Sequence, residues 1–297
     1  MSLSYIDMKW LIYGSKGWIG GMVTRYLREQ GETVFEARSR ADHEDGVAAD
    51  IEHFEPDRIV CLIGRTHGPG YSTIDYLEQK GKLVENLRDN LFSPMCIALI
   101  AQNYGIHVTY LGTGCIFTYK EDKQTFEEND LPNFFGSGYS TVKGFTDRLM
   151  HFFSNTVLNL RIRMPIVGYH NPRNFVTKIT SYEKICSIPN SMTVLEDMIP
   201  AMIQMAREEK TGTINLTNPG VISHNEMLEL YQKHVDPSFE WKNFTQEEQA
   251  KILLSERSNN ELVTGELQTL FPGIKNIKDS VEDLFKNWGK SYLQSQV

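Results

Sequence analysis

Short apolar runs recur along the first half of the chain, with amphipathic stretches between them. "MKWLIYG" (Met8–Gly14), "ETVFEARSR" (Glu32–Arg40), "PDRIVCLIG" (Pro56–Gly64), "HVTYLGTG" (His107–Gly114) and "LNLRIRMP" (Leu158–Pro165) each read as a buried strand. After the first, "WIGGMVTRYLREQG" sets Ile19, Val23, Tyr26 and Leu27 at helical spacing, and Gly31 can close the helix. Further helical stretches lie at Leu83–Asn103 and Thr141–Phe153. Alternation of strand and helix from Lys9 to Pro165 predicts an α/β fold, a Rossmann-type doubly wound parallel sheet.

Beyond Pro165 the pattern loosens. "IVGYHNPRNFVTKI" is rich in turn formers, and "CSIPNSMTV" is a short strand-like piece. Leu195–Glu209 is an amphipathic helix, "GTINLTNPG" a strand and turn, and Asn225–His234 and Thr245–Leu254 are helical. We expect a nucleotide-binding unit over residues 1–167 and a smaller, partly interleaved unit over 168–297, with part of 196–220 returning to the sheet.

Composition narrows the function classes. The chain has 297 residues, 40% hydrophobic and 23% charged, with a formal net charge of −8. That balance disfavours nucleic acid as a partner, because phosphate-backbone binding needs a basic surface. No apolar run approaches the ~20 residues of a membrane span. The opening "MSLSYIDMKW" lacks a signal-peptide pattern, so a cytoplasmic location is expected. Cys61, Cys96, Cys115 and Cys186 are widely spaced, which argues against a metal site or a disulfide framework.

Candidate chemistry begins at "GSKGWIGG". Gly14, Gly17 and Gly20 leave the first strand and open the first helix, with Trp18 and Ile19 between them. A tight turn, close backbone approach to a pyrophosphate and a helix N-terminus together suit a dinucleotide. After the second strand, Glu36 is followed by Arg38 and Arg40, a pairing that favours NADP(H) over NAD(H). Asp50 and Ile51 in "AADIE" are expected to flank the adenine. Thr113 stands at the carboxyl end of the fourth strand, and Tyr139 and Lys143 share a helix face at i and i+4. A hydroxyl, a phenol and an ammonium suit reduction of a ketone: the ammonium is expected to lower the phenol's pKa, and the phenol to protonate the oxygen as hydride arrives. Asn90 is expected to support this geometry from a neighbouring helix.

These motifs, in this order, resemble the extended short-chain dehydrogenase/reductases. "LIYGSKGWIGG", "GCIF", "RIRMPI", "NPRNFVTKI", "IPNSMTVLEDMIP", "NPGVISHNEMLE", "NFTQEEQAKI" and "RSNNEL" resemble more closely the bifunctional nucleotide-sugar 3,5-epimerase/4-reductases of UDP-rhamnose synthesis in plants and some large DNA viruses. A viral source would place the protein in host cytoplasm. The resemblance implies UDP-4-keto-6-deoxy-D-glucose as substrate, with inversion at C3 and C5 through enolates before reduction at C4. It implies Cys115 and Lys178 as the acid/base groups, with Cys115 on the same side of a strand as Thr113. It places Arg173, Asn174, Arg257 and Asn260 near the diphosphate, Trp241–Phe244 near the uridine, and a homodimer through Leu83–Asn103 and Thr141–Phe153. His170 and His224 read as loop and helix-cap residues, and Cys61 and Cys186 as packing. "CLIGRTHG" departs from the family's usual turn beside the nicotinamide, and "NNELVTGEL" from its usual C-terminal phrase. A reductase without epimerase activity and a non-catalytic nucleotide-binding subunit are the alternatives. The first needs no thiol at position 115, and the second commonly lacks the tyrosine or lysine.

Overall fold

The computed structural model describes residues 7–294. Six strands, β1 Lys9–Tyr13, β2 Thr33–Glu36, β3 Arg58–Cys61, β4 His107–Thr113, β5 Val157–Ile162 and β6 Gly212–Asn215, pair in parallel in the order β6-β5-β4-β3-β1-β2. The chain runs outward in opposite directions from the β1/β3 pair. In an open parallel sheet such a switch point opens a crevice at the strands' carboxyl ends.

Both faces of the sheet are covered, as the apolar runs require. Trp10 and Ile12 of β1 pack with Met22, Val23 and Leu27 of α1 (Trp18–Glu29). Leu11 and Tyr13 point the other way, onto Val47 and Ile51 of α2 (Glu44–Phe54) and Ile97 of α3 (Ser93–Asn103). Each such burial contributes about 1.5–3 kcal/mol, so β1 is fixed by packing on two sides.

In β5 the alternation leaves a polar file, Asn159 and Arg161 within the strand and Arg163 just past it, all buried. The Arg161 guanidinium forks onto Asp147 at 2.8 and 2.7 Å, and the Asn159 amide donates to Asp147 at 2.9 Å. Asp147 belongs to α4 (Gly138–Met150), so this file sets that helix on the sheet.

The stretch after β5 builds partly away from the sheet and partly on it. Met198, Met202 and Ile203 of α5 (Leu195–Arg207) join the α1 side of the core, and β6 pairs with β5. A separate apolar cluster gathers Ile166, Val176, Met192, Met227, Leu228 and Phe285. Glu261–Leu262 returns to pair with Thr125–Phe126.

Two helical expectations change. Leu83–Asn103 is Leu83–Leu87, a wide π-type stretch at Arg88–Phe92, then α3. Pro94 has no N–H to give the carbonyl of Asn90, and the Thr146 hydroxyl donates to that carbonyl instead, at 2.7 Å. Thr245–Leu254 is helical only over Gln246–Ala250, behind a Thr245/Glu248 capping box; none of that turn is buried, so no packing extends it. Among the described residues no helix is long and apolar enough to cross a membrane.

Candidate active site

The crevice at the switch point begins where β1 ends. Gly14 has φ +89°, and a Cβ there would stand 2.9 Å from the carbonyl of Leu62, just past β3. A Cβ on Gly20 would fall 1.9 Å from the Gly14 oxygen. Only glycine fits at either place. Gly17 precedes α1, whose first amides have no side-chain cap, so Trp18 and Ile19 open the helix beside a cleft of about 360 Å³ lined by Gly14, Lys16, Gly17, Arg40, Gly64 and Arg65. These features fit a dinucleotide's phosphates.

The acidic position after β2 is already engaged. Glu36 accepts from the Ser15 hydroxyl at 2.9 Å and from Arg28 at 3.1 Å, and these two bonds hold its carboxyl below the usual range. Arg40 lines the cleft and forks onto Asp42, while exposed Arg38 lies over the Phe54 ring. Asp50 and Ile51 do not flank an adenine. Both are buried in α2, and Asp50 accepts from the Ser39 amide and hydroxyl and from the Tyr13 hydroxyl. Asp50 thus shapes the loop bearing Arg38 and Arg40 from beneath.

At the sheet's centre, Thr113 ends β4 and is buried. Ser137 caps α4 through the Ser140 amide at 3.0 Å, and Glu78 accepts from the Gly138 amide at 2.7 Å. Tyr139 and Lys143 follow on one face, both buried. Burial pushes the Tyr139 phenol above its ordinary range, the Cys115 side chain adds to this, and a hydrogen bond with Thr113 partly offsets it. The expected lowering by Lys143 does not occur here. The Lys143 ammonium donates to the Tyr110 hydroxyl and lies 4.6 Å from that ring's centre. Burial pulls Lys143 down to about 8. The Asn90 side chain bonds none of Thr113, Tyr139 and Lys143: its amide clamps the backbone N–H and C=O of Arg65 at 2.8 and 2.9 Å, fixing the turn after β3.

Cys115 lies beyond β4, in a turn, so strand alternation does not orient it. Its amide donates to Thr113 Oγ1 at 3.1 Å, and Phe117 N donates to Gly114 O at 3.3 Å. Asn260 closes the same turn. Its fully buried amide donates to Gly114 O at 2.9 Å, Phe117 O at 2.8 Å and Ser258 Oγ at 3.0 Å. Asn260 is therefore a brace for Cys115, not a diphosphate ligand. Cys115 and Tyr139 share a cavity of about 740 Å³ with Asp75, Met164, Tyr182, His224, Phe244 and Arg257.

Around this cavity the expected ligands divide. Asn174 is fully buried as the cap of the short helix Phe175–Ile179, its side chain bonded to Val167, Tyr169 and Val176 backbone groups, so it does not meet a diphosphate. Lys178, on that helix, donates to the Ser72 carbonyl at 3.2 Å; burial, then Arg173 and Arg257, hold it below its ordinary value. Neither Arg173 nor Lys178 has a carboxylate partner among the described residues. Nearby His67 is drawn down to about 4 by burial and by Arg173, Lys178 and Arg65. Arg257 lines the cavity and pairs with Asp75 at 2.7 Å. Burial would raise Asp75, but bonds from Arg257, Thr73 and Ser255 outweigh it and keep the carboxyl low. His224 is not the helix cap, a place taken by Ser223, but the first residue of the helix, and it lines the cavity with Nδ1 at 2.6 Å from Cys186 O. Phe244 lines the cavity too, while Trp241 bonds Asn225 and stacks on Phe239.

Sequence reasoning did not single out Asp75, Glu78, Tyr110 or Arg163. Only the last had a usable signal: Arg163 continues the alternation of Asn159 and Arg161 just past β5, in a sheet covered on both faces.

No protein-family model matches the chain. Protein L780 of Acanthamoeba polyphaga mimivirus is 59% identical over 281 residues, 93% of this chain and 97% of that protein. The crystal structure of the L780 UDP-rhamnose synthase superposes with TM-score 0.93, covering 95% of this chain and 99% of that one. A bifunctional dTDP-4-dehydrorhamnose 3,5-epimerase/dTDP-4-dehydrorhamnose reductase of Arabidopsis thaliana is 43% identical over 93% of this chain and 91% of its own length. The dTDP-4-dehydrorhamnose reductase of Bacillus anthracis, solved with NADP, has TM-score 0.78 at 16% identity over 95% of this chain and 99% of that one, a likeness of fold.

Proposed function

We propose that this chain, which belongs to the bifunctional nucleotide-sugar 3,5-epimerase/4-reductase family of rhamnose synthesis, inverts UDP-4-keto-6-deoxy-D-glucose at C3 and C5 and then reduces its C4 ketone with NADPH to give UDP-L-rhamnose. The observation that carries this reading is that Cys115 and Tyr139 face one cavity, with the Cys115 turn hydrogen-bonded to Thr113. A reductase alone has no use for a thiol there.

In the epimerase stage the ketone acidifies C3–H and C5–H. Cys115, as thiolate, takes a proton from one face, the electron pair passes to the C4 oxygen, and Lys178 returns a proton on the opposite face. The lowered value of Lys178 makes it a better proton exchanger near neutral pH than an ordinary lysine. Arg173 and Arg257 hold the diphosphate by charge and fork geometry. In the reductase stage a nicotinamide held in this cleft would supply hydride to C4. Thr113 orients the ketone oxygen, Tyr139 protonates it, and Lys143 holds the cofactor's ribose and the phenol's charge. Gly14, Gly17, Trp18, Ile19 and Gly20 receive the pyrophosphate, and Arg38 and Arg40, in the loop after β2, favour the 2′-phosphate of NADP(H) over NAD(H).

Of the exposed apolar side chains, Val84 lies on Leu83–Leu87, Phe145 and Leu149 on α4, which packs against it, and Phe152 on the 3-10 turn His151–Phe153 that continues α4. We assign that face to a second copy of the chain, giving a homodimer.

The test is incubation with UDP-4-keto-6-deoxyglucose in D2O with NADPH or NADH, products identified by NMR. Deuterium at C3 and C5 with UDP-L-rhamnose formed is expected, faster with NADPH. Reduction without deuterium at those carbons would leave a reductase only. A preference for the dTDP sugar would move the substrate assignment and not the chemistry.

A further inference from the structure

Arg163 is a fully buried guanidinium in the polar file past β5. Every acceptor it has is neutral: Ser258 Oγ at 3.1 Å, Ser258 O at 3.0 Å and Asn190 Oδ1 at 2.8 Å. Its Nε has no acceptor and no access to solvent. The nearest buried arginine, Arg161, has its own carboxylate in Asp147. A buried cation without a counter-ion costs several kcal/mol, so an anion must be sought beside it.

The stem of Arg163 packs under the turn that carries Cys115. A Cβ on Gly114 would stand 3.0 and 3.1 Å from its Cγ and Cδ. Cys115 is the foremost group whose negative charge would favour the charged form of Arg163, Tyr119 being the other, and burial opposes both. The other charged or titratable groups around the thiol and the guanidinium are Tyr139 and Lys143 on α4, His224 beyond Arg163, and, on the walls of the Cys115 cavity, Asp75, Tyr182, Glu183, Lys184, Cys186, Glu248 and Arg257. No carboxylate among them bonds Arg163, and Asp75 is held by Arg257.

We propose that Arg163 is the positioning residue that supplies the counter-charge for a thiolate at Cys115, so that the base of the epimerase stage stands ready before substrate enters. This rests on the reading of Cys115 as that base. The proton on sulfur is lost to solvent. The thiolate then takes the proton from the sugar carbon, forming S–H as C–H breaks, and the guanidinium keeps its charge throughout. The neutral ring of acceptors serves this role: a carboxylate among them would cancel the field at sulfur.

The test is the pH dependence of Cys115 alkylation by iodoacetamide, read by mass spectrometry of its peptide in the intact protein. In the wild type the midpoint should lie below that of the same peptide in urea. In Arg163→Met it should rise by about one unit or more, a tenfold loss of alkylation rate at neutral pH, and Arg163→Lys should restore most of it. A folded wild-type midpoint at or above the urea value overturns the proposal, even if Arg163→Met does not fold. Superimposed profiles for wild type and folded Arg163→Met overturn it as well. Because alkylation needs no substrate, it is separate from the base assignment, whose failure would appear as deuterium exchange surviving in Cys115→Ala.

Discussion

The two walls that meet at Thr113 are built by different means. Tyr139 and Lys143 stand on a capped helix seated on the sheet by Asp147, which bonds Asn159 and Arg161 of the next strand, 12 and 14 residues on. Cys115 stands on a turn held by Asn260, and its cavity is closed by Arg257 and Asp75, partners far apart in sequence. The first wall takes its geometry from helix periodicity; the second takes it from long-range hydrogen bonds to loop carbonyls. Changes on one wall should therefore be separable from changes on the other.

The largest separation comes from the reacting groups. Cys115→Ala should lower deuterium exchange at C3 and C5 by at least about 100-fold, while reduction of a ready-epimerised 4-keto-rhamnose nucleotide persists; NMR follows both. Tyr139→Phe should do the reverse, slowing NADPH oxidation by about 100-fold or more with exchange retained. Loss of both activities in either variant would mean that the two walls act as one unit.

Smaller effects test the supports. Asn260→Ala removes one of the two donors to each of the Gly114 and Phe117 carbonyls, leaving Gly114 O with Phe117 N and Phe117 O with the Ser258 hydroxyl, and should cost about 1 kcal/mol in urea unfolding. It should slow exchange more than reduction. Lys143→Met should raise stability at neutral pH by about 1–3 kcal/mol and abolish reduction, because it removes a buried cation with no carboxylate partner. The sign follows from linkage. Lys143 titrates at about 8 when folded against 10.5 when free, so its destabilising effect is complete below about 8 and disappears as pH rises through 10.5. Thermal melts should show the variant's advantage shrinking across that window. Val84→Glu with Phe152→Glu should yield monomers by sedimentation, with the smallest change in turnover.

This difference in construction also decides what the sequence made legible. The strands, the first helix and the Gly14–Gly20 loop follow from period and sterics, which are local. Tyr139 and Lys143 were legible for the same reason, but not Lys143's choice of Tyr110, which is hidden in an apolar run. Asn174 and Asn260 were misread as ligands because a polar amide near a site looks the same whether it faces substrate or braces a loop. Asp50 and Ile51 were misplaced because both lie on the buried face of a helix, α2, turned into the core. Cys115 kept its place beside Thr113 although the strand argument for it did not hold.

The brace at Asn260 also orders events during synthesis. Chains fold as they emerge. The strands and glycine loop of the dinucleotide cleft are complete once β3 and α3 have left the ribosome, and the sheet closes soon after β6. The Cys115 turn must wait for a residue 145 positions later in the chain. The turn that carries Cys115 is thus the last part of the crevice to gain its hydrogen bonds, long after the residues of the glycine loop have been made.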